Sequence, residues 1–472
     1  MKLEAVLDML RSGTGLRTHS GKVQAGDVFV ALSGTRVDGA RYIDDAVTRG
    51  ARVVVHAQGA DVTRREDVEY LAVSDPARTL GVLARAACGT EARLPRVVGI
   101  TGTNGKTTTA HLVQHLLSEN GISTGLIGTV RCSWPGTDIP ATMTTPDCLS
   151  LHEMVGRMAR DGVESLVMEV SSHALDQDRL AGLPVEVGVF TNLTQDHLDY
   201  HGDMERYFAA KARLFLGDDR CAKGLVNMDD AYGRRLKAER PDLLGVGIES
   251  ADADLRAEIL SFGTWGMRLA MTRGETRFEL KTSLVGRHNA SNLLSAAGAG
   301  LLFGLDAAAL QCLGDAPGAP GRLERVPNAQ GLDIFVDYAH TPDALEKVSV
   351  ALKSMGFARL ITVFGCGGDR DATKRPLMGR AVARHADVVV MTSDNPRTED
   401  PESILDQIEP GLNGAANVVR EADRRKAIGL AIDAMRPGDA LLIAGKGHED
   451  YQIVGTEKRH FSDFEAVREH LA

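Results

Sequence analysis

The sequence lacks the features that mark several large classes of protein. None of its six cysteines has Cys-x-x-Cys spacing, so zinc and disulfide roles are not favoured and a reducing cytoplasm is expected. The formal net charge of −10 disfavours a general nucleic-acid binder. The longest weakly polar run, Leu293–Leu305, is too short and too rich in glycine and alanine for membrane insertion. The first ten residues place acidic side chains within an apolar pattern, unlike a signal peptide.

The length of 472 residues and the 43% of hydrophobic residues predict about three domains, each with its own core. Short strands and helices alternate throughout, which predicts the α/β class. We place the domains at 1–93, 94–325 and 326–472. In the first domain the polar loop Ser33–Gly39 is either a ligand loop or a plain connector.

One stretch near the start of the second domain carries the clearest chemistry. An apolar strand over Val97–Ile100 runs into a glycine-rich loop with Lys106 and Thr107, and a helical pattern follows. Glycines let backbone N–H groups approach phosphates, while the lysine reaches the terminal phosphates and the threonine hydroxyl ligates Mg²⁺. The loop is a shortened phosphate-binding motif, since Ile100 stands where the strict pattern has glycine. The predicted ATP-binding residues of this loop are Gly102, Thr103, Asn104, Gly105, Lys106, Thr107 and Thr108.

Four further residues of the second domain stand out, and two of their positions suggest a metal site. Glu169 ends an apolar strand, where ligands bind in α/β sheets, so it is either an Mg²⁺ ligand or a buried, satisfied carboxylate. His197 and His201 have the spacing of two metal ligands on a helix. Because there is no HExxH pattern, a second divalent ion held by His197 is favoured over a zinc site. Lys211 lies among apolar residues on a predicted helix, a position typical of a snorkelling side chain.

The third domain repeats one pattern four times. Each predicted strand delivers a polar or glycine-rich cluster at its carboxyl end, which is the layout of a doubly wound parallel sheet with one binding edge. The cluster Gly365–Asp371 lacks the GxGxxG spacing, so a dinucleotide site is only weakly supported. The strands are predicted over Asp333–Val336, Leu360–Phe364, Asp387–Met391 and Asp439–Ala444.

Taken together, these motifs resemble the Mur ligase family over essentially the whole chain. The resemblance rests, in chain order, on GTNGKTT, TTP, EVSSHAL, TNLTQDHLDYH, the Lys211 helix, GRHNASN, GRLE, DYAHTPD, GCGGDRD, KRP, DNPR and GKGHEDYQ. It implies a UDP-binding N-terminal domain, a central P-loop ATPase domain and a C-terminal Rossmann-like domain.

The resemblance implies an ATP-dependent amide ligation in peptidoglycan precursor synthesis. The γ-carboxylate of the D-glutamyl group in UDP-MurNAc-L-Ala-D-Glu would attack ATP to give an acyl phosphate. The amine of meso-diaminopimelate would then displace phosphate. The intact DNPR motif favours meso-diaminopimelate over L-lysine or L-ornithine, which stay open as alternatives. A catalytically inactive nucleotide-binding regulator and, more distantly, a folate-polyglutamate-type ligase are the other hypotheses.

The resemblance also implies roles for individual residues. The protein is expected to be a monomer. The catalytic residues are Lys106, Lys211 and His197. The Mg²⁺ ligands are Thr107, Glu169, His197 and Lys211, the last as a carbamate formed with CO₂. The nucleotide contacts beyond the loop are Asn292, Arg322 and Asp337. The UDP-sugar peptide contacts are Ser33, Thr144, Thr145, Ser171, Gln177 and Arg179. The diaminopimelate contacts are Arg370, Asp394, Asn395, Pro396, Arg397, Gly445 and Glu449, with the arginines on the distal carboxylate and Asp394, Asn395, Gly445 and Glu449 accepting from the ammonium.

Overall fold

A computed structural model of the chain describes residues 1–33, 38–415 and 417–472. Three sheets draw their strands from residues 16–73, 96–282 and 324–444, which confirms the α/β class. The boundaries at 93/94 and 325/326 stay predictions; the strand Glu324–Arg325, which precedes the second of them, pairs with the C-terminal sheet. Residues 34–37 of the Ser33–Gly39 loop lie outside the described residues.

The N-terminal sheet is small and parallel. Its elements are α1 (Leu3–Arg11), β1 (Leu16–Arg17), β2 (Val28–Val30), α2 (Ile43–Thr48), β3 (Val53–Ala57), β4 (Glu69–Val73) and α3 (Pro76–Cys88). The four strands pair in chain order, β1 to β4, all parallel. Asp75 caps α3 by accepting from Ala77 N and Arg78 N, and Pro76 fits the first helical position because its missing N–H is not needed there.

The central sheet has eleven strands. Its elements are β5 (Arg96–Thr101), α4 (Lys106–Glu119), β6 (Thr124–Ile127), β7 (Arg131–Trp134), β8 (Thr137–Pro140), α5 (Cys148–Arg160), β9 (Ser165–Glu169), α6 (Ser172–Asp176), β10 (Val187–Phe190), α7 (Leu198–His201), α8 (Met204–Leu216), β11 (Lys223–Asn227), α9 (Ala231–Glu239), β12 (Leu244–Gly247), β13 (Leu255–Gly263), β14 (Gly266–Arg273), β15 (Thr276–Thr282) and α10 (Arg287–Phe303). Strands β13, β14 and β15 form an antiparallel meander.

The register of the parallel middle of this sheet positions the site. The strand order is β15-β14-β13-β12-β11-β10-β5-β9-β6-β7-β8. Ile100 pairs with Glu169, and Thr101 pairs with Phe190, so β5, β9 and β10 end at one edge. Two hydrophobic clusters pack on the faces of the sheet, one under α4 and α10 and the other under α5 and α8. The phosphate-loop motif and Glu169 are therefore held at the edge of a rigid sheet.

The C-terminal sheet has six strands in the order β16-β17-β21-β18-β19-β20, parallel except for β16. Its elements are β16 (Glu324–Arg325), β17 (Asp333–Asp337), α11 (Pro342–Lys353), β18 (Leu360–Phe364), α12 (Lys374–Ala383), β19 (Val388–Met391), α13 (Pro401–Ile408), β20 (Val418–Arg420), α14 (Arg424–Asp433), β21 (Ala440–Ala444), the hairpin β22 (Tyr451–Val454) and β23 (Glu457–His460), and α15 (Asp463–Leu471). Asp337 pairs with Ala444, and Phe364 pairs with Met391, so the polar clusters meet at one edge as predicted.

Candidate active site

The loop between β5 and α4 has the geometry of an anion cradle. Gly105 has a φ of +85°, and a Cβ atom there would lie 2.5 Å from Asn292 Oδ1, so the close approach of α10 requires glycine. Lys106 Nζ donates to the carbonyl oxygens of Gly102 and Thr103 at 3.0 and 2.9 Å. The first residues of α4 line the adjoining cleft, where helix N–H groups without intrahelical partners favour a phosphate.

A cleft of about 890 Å³ lies between the central and C-terminal sheets and is large enough for a nucleotide. The carboxyl end of β17 and one side of α11 form the wall opposite the phosphate loop. The predicted site residues that line the cleft are Thr103, Asn104, Gly105, Lys106, Thr107, Thr108, Thr144, Glu169, His197, Asn292, Arg322 and Asp337. The predicted nucleotide residues, apart from Gly102, thus surround one cavity.

Thr107 and Glu169 form the oxygen-rich floor of this cleft. Thr107 Oγ1 donates to Glu169 Oε2 at 2.9 Å, and Arg322 Nη2 lies 3.3 Å from the same hydroxyl. Thr129 holds the Glu169 carboxylate, donating from its backbone N to Oε1 at 2.7 Å and from its hydroxyl to Oε2 at 3.1 Å. A hydroxyl and a carboxylate beside a phosphate cradle fit Mg²⁺, which takes one or two protein carboxylates and completes its shell with substrate oxygens and water.

Two lysines share one carbonyl oxygen behind this floor. Lys211 Nζ donates to Gly102 O at 2.8 Å, on the same atom that Lys106 contacts, and the side chain of Lys211 is only 1% exposed. Burial lowers the pKa of Lys211 well below that of an exposed lysine, and the Lys106 ammonium lowers it further. Lys211 therefore does not snorkel to solvent, and its environment favours a neutral, nucleophilic amine.

His197 and His201 do not share a helix face. His197 precedes α7 with a φ of +52°, whereas His201 ends α7 and its Nε2 lies 2.9 Å from Ser172 Oγ. His197 Nε2 is 3.4 Å from Asp196 Oδ2, and burial lowers the pKa of His197 to about 4. A neutral imidazole at the rim of the cleft fits a metal ligand better than a cation does. Asp196 also accepts from Lys374 Nζ at 3.1 Å, which ties α12 to the central sheet.

Four of the six predicted UDP-sugar peptide residues form one hydrogen-bonded network. Ser171 N donates to Thr145 Oγ1 at 3.0 Å, and Arg179 Nη1 donates to Thr145 O at 2.7 Å. Gln177 Oε1 accepts from Arg179 Nη2 at 2.8 Å. Thr144 sits closer to the metal floor, since its hydroxyl lies 3.1 Å from Thr129 Oγ1. Ser33 is exposed in the N-terminal domain and is bridged to Asp38.

The predicted diaminopimelate residues cluster at the carboxyl edge of the C-terminal sheet, beside the cleft. Asp394 Oδ2 is buried without a hydrogen-bond partner, and it lies 2.7 Å from where a Cβ atom of Gly445 would be, so only glycine fits beside this oxygen. Glu449 Oε2 accepts from Asn395 Nδ2 at 3.1 Å, and Tyr338 OH donates to Glu449 Oε1 at 3.4 Å. Tyr338 also lines the nucleotide cleft, so it joins the two regions.

One prediction for this cluster is that Asn395 accepts a hydrogen bond from the substrate ammonium. Asn395 Oδ1 already accepts from Ile453 N at 3.0 Å and from Lys446 Nζ at 3.3 Å, which uses both of its lone pairs. The side-chain oxygen of Asn395 is therefore already fully hydrogen-bonded within the protein. Its Nδ2 retains one N–H beyond the bond to Glu449, so toward a ligand Asn395 is a donor suited to a carboxylate.

The two predicted arginines lie near each other at the mouth of this cluster. A Cβ atom on Gly367 would lie 3.0 Å from Arg397 Nη1 and 3.7 Å from Arg370 Cγ. Arg370 is exposed, whereas Arg397 is half-buried and its Nη1 donates to Gly368 O at 2.7 Å. Arg397 has a φ of +53°, and its backbone N and O bond Ile453 O and Gly455 N. Pro396 packs its carbonyl against Gly368, where a Cβ atom would lie only 1.8 Å away.

Sequence reasoning gave no role to several residues that the structure places at this site. Tyr338 and Lys446 stand inside the motifs DYAHTPD and GKGHEDYQ, so motif membership alone pointed to them. Arg424 is fully buried and forms two hydrogen bonds with Asp463, at 2.8 and 2.7 Å, while its Nη1 has no partner. No local pattern predicted that an arginine after β20 would reach the edge that carries Gly445.

The described residues contain neither a ready-made metal cluster nor a membrane-spanning helix. Across residues 1–33, 38–415 and 417–472, no cluster of three or more His, Cys, Asp or Glu side chains has the arrangement of a self-contained metal site. Within the same ranges, no helix combines the length and the apolar character needed to cross a membrane.

Comparisons with known proteins cover each part of the chain. Residues 13–87 match the Mur ligase family catalytic domain, residues 100–300 the Mur ligase middle domain, and residues 321–447 the Mur ligase glutamate ligase domain. A relative from Lawsonia intracellularis is 49% identical and covers 96% of this chain and 95% of its own. The chain belongs to the Mur ligase family.

This Lawsonia Mur ligase carries the name UDP-N-acetylmuramoyl-L-alanyl-D-glutamate--2,6-diaminopimelate ligase. A relative of the same name from Trichormus variabilis is 45% identical over 96% of this chain and 93% of its own. A solved structure of a Mur ligase with that name is 34% identical and aligns with a TM-score of 0.70 over 97% of this chain and 94% of its own. The likeness extends to the three-domain fold, including the P-loop and Rossmann-like domains.

Proposed function

We propose that this Mur ligase is an ATP-dependent ligase that joins meso-diaminopimelate to the D-glutamyl γ-carboxyl group of UDP-MurNAc-L-Ala-D-Glu through an acyl phosphate. The observation that carries the proposal is the continuity of the two regions. The phosphate cradle and the Thr107–Glu169 floor line one cleft, and Tyr338 lines it too while bonding Glu449 of the amino-acid cluster. The relatives that cover almost the whole chain carry the name of this reaction.

The first half of the reaction brings two anions together. A carboxylate and a phosphate held about 4 Å apart repel each other by about 4 kcal/mol at an effective dielectric constant of about 20. Lys106, Arg322 and the N-terminus of α4 supply positive charge at the place where the two must meet. Mg²⁺ held by Thr107, Glu169 and His197 would neutralise phosphate charge further when bound.

We further propose that Lys211 carries a carbamate. Its neutral amine would add to CO₂ and release one proton, so a neutral group would be replaced by an anionic, carboxylate-like carbamate. Complete burial and the adjacent Lys106 ammonium support this modification, since both favour the unprotonated amine. An anionic carbamate on Lys211 would provide a further oxygen ligand for a divalent ion.

The second half of the reaction needs a correctly placed amine. We propose that the distal head group of meso-diaminopimelate is held by its two charges. Arg370, Arg397 and the remaining N–H of Asn395 face the carboxylate, while Asp394 Oδ2 and Glu449 face the ammonium. The amino group at the other end would then reach the acyl phosphate in the cleft, form the amide bond, and release phosphate. The substrates are cytoplasmic metabolites in this scheme, so we place the protein in the cytoplasm.

An amino-acid panel tests the proposal. Phosphate release would be measured with ATP, the UDP-muramoyl dipeptide and each of meso-diaminopimelate, L-lysine and L-ornithine in turn. We expect release that needs all three substrates and is fastest with meso-diaminopimelate. Preference for L-lysine or L-ornithine would refute the assigned amino acid. Absence of release with any amino acid would favour a regulatory nucleotide-binding protein.

A further inference from the structure

Lys446 is a buried cation at the centre of the amino-acid cluster. Its side chain is 0% exposed, although lysine is among the side chains least often buried completely. Lys446 Nζ donates to Asn395 Oδ1 at 3.3 Å and to Glu449 Oε2 at 3.3 Å, and the ring of Tyr451 lies 5.4 Å from the same nitrogen. The position directly follows Gly445, so the turn after β21 carries the ammonium into the cluster.

The three side chains close a ring of hydrogen bonds. Lys446 donates to Asn395 and to Glu449, and Asn395 Nδ2 donates to the same oxygen of Glu449 at 3.1 Å. The ring fixes the orientation of the Asn395 amide, because its oxygen is committed to Lys446 and its nitrogen to Glu449. It also commits Glu449 Oε2, which leaves Oε1 to face Tyr338 and the open side of the cluster.

The charge of Lys446 also matters for the balance of the cluster. Asp394 and Glu449 bring two carboxylates to a cluster that, in the proposed function, also binds a substrate carboxylate. Lys446 offsets one of these charges from inside the protein, where water does not screen it. Binding of a ligand with a distal carboxylate depends on the positive charge of Lys446. Binding of a ligand with only a distal ammonium does not.

We propose that Lys446 is a positioning and specificity-determining residue for the amino-acid substrate, acting through Asn395 and Glu449 to present a donor to the distal carboxylate. The inference rests on the proposed function, since it concerns the same amino-acid site. It predicts that loss of Lys446 weakens binding of the amino acid selectively and leaves the nucleotide site unchanged.

The test replaces Lys446 by Met, which keeps the length of the side chain and removes its charge and donors. We expect the KM for meso-diaminopimelate to rise about 10- to 100-fold, the range for losing charged hydrogen bonds, with the KM for ATP within about twofold of wild type. Lys458→Met is the matched control, because Lys458 also lies over the Tyr451 ring, at 3.7 Å, but is exposed. The control should behave as wild type.

A double-mutant cycle separates positioning from a general structural role. If Lys446 acts through Asn395, the KM for meso-diaminopimelate of the double variant Lys446→Met, Asn395→Leu should be less than about threefold above that of Asn395→Leu alone. A full second loss in the double variant would overturn the proposal, as would equal losses for ATP and the amino acid in Lys446→Met.

If Lys446→Met does not fold, Lys446→Gln takes its place. Lys446→Gln retains a hydrogen-bond donor, and a wild-type KM for the amino acid in that variant would overturn the role of the charge. The amino-acid panel on the wild-type enzyme tests the proposed function by itself. For each Lys446 variant, the KM is compared with that of wild type for whichever amino acid wild type accepts. The proposed function and the role of Lys446 can therefore fail separately.

Discussion

Replacement of Arg397 by Ala tests the assignment of the amino-acid site most directly. The side chain is half-buried, and its Nη1 is fixed by Gly368 O at 2.7 Å, so the rest of the guanidinium is pre-oriented at the mouth of the cluster. The backbone of Arg397 should survive the change. Its bonds to Ile453 and Gly455 come from main-chain atoms, and alanine is no more strained than arginine at a φ of +53°.

The expected magnitude follows from the interaction that is lost. A charge-assisted hydrogen bond is worth about 1.5–3 kcal/mol, and a half-buried guanidinium on a carboxylate belongs in the upper part of that range. A loss of about 2–3 kcal/mol corresponds to a rise of about 30- to 150-fold in the KM for meso-diaminopimelate. Arg397→Lys should recover only part of this, because an ammonium lacks the planar fork of donors.

The assay is initial-rate phosphate release at saturating ATP and UDP-muramoyl dipeptide, with the amino acid varied. L-Lysine is the internal control, since it lacks the distal carboxylate and its rate should change little on replacement of Arg397. The KM for ATP should stay near that of wild type. Equal fold losses for meso-diaminopimelate and L-lysine, or for the amino acid and ATP, would refute the placement of the distal carboxylate at Arg397.

Three other perturbations give distinct outcomes. Lys211→Ala should abolish most activity, and short carboxylic acids should restore part of it by replacing the carbamate; unchanged turnover would refute the modification. Arg375 hydrogen bonds lower the pKa of Glu399 to about 2 from 4.5, so the stabilisation is complete above pH 4.5 and is lost as pH falls toward 2. In urea unfolding, the stability gap between wild type and Glu399→Gln should therefore shrink by about 1 kcal/mol over that window, after allowance for solvent screening, and a constant gap would contradict this. Asp463→Asn should lower the free energy of unfolding by about 3–5 kcal/mol, because it leaves Arg424 charged and fully buried, and denaturant unfolding within 1 kcal/mol of wild type would refute this.

The sequence by itself determined the parts of the site that are encoded by consecutive residues. Strand, glycine loop, lysine and helix follow one another from Val97 onward, so the phosphate cradle could be located without knowing any distant contact. The polar clusters after the C-terminal strands were equally readable, because parallel strands in one sheet must end at the same edge.

Only the tertiary structure decided which distant side chains form ionic hydrogen bonds with each other or donate to the same oxygen. Lys211 meets Lys106 at Gly102 O, and Lys446 closes a ring with Asn395 and Glu449. A single lysine in an apolar helix or after a glycine carries no local signal of burial, since the same pattern is typical of a snorkelling or solvent-facing side chain. The protonation of Lys211 and the donor role of Asn395 depend on neighbours that are distant in the sequence and are brought together by packing. The spacing of nearby residues does not predict such contacts.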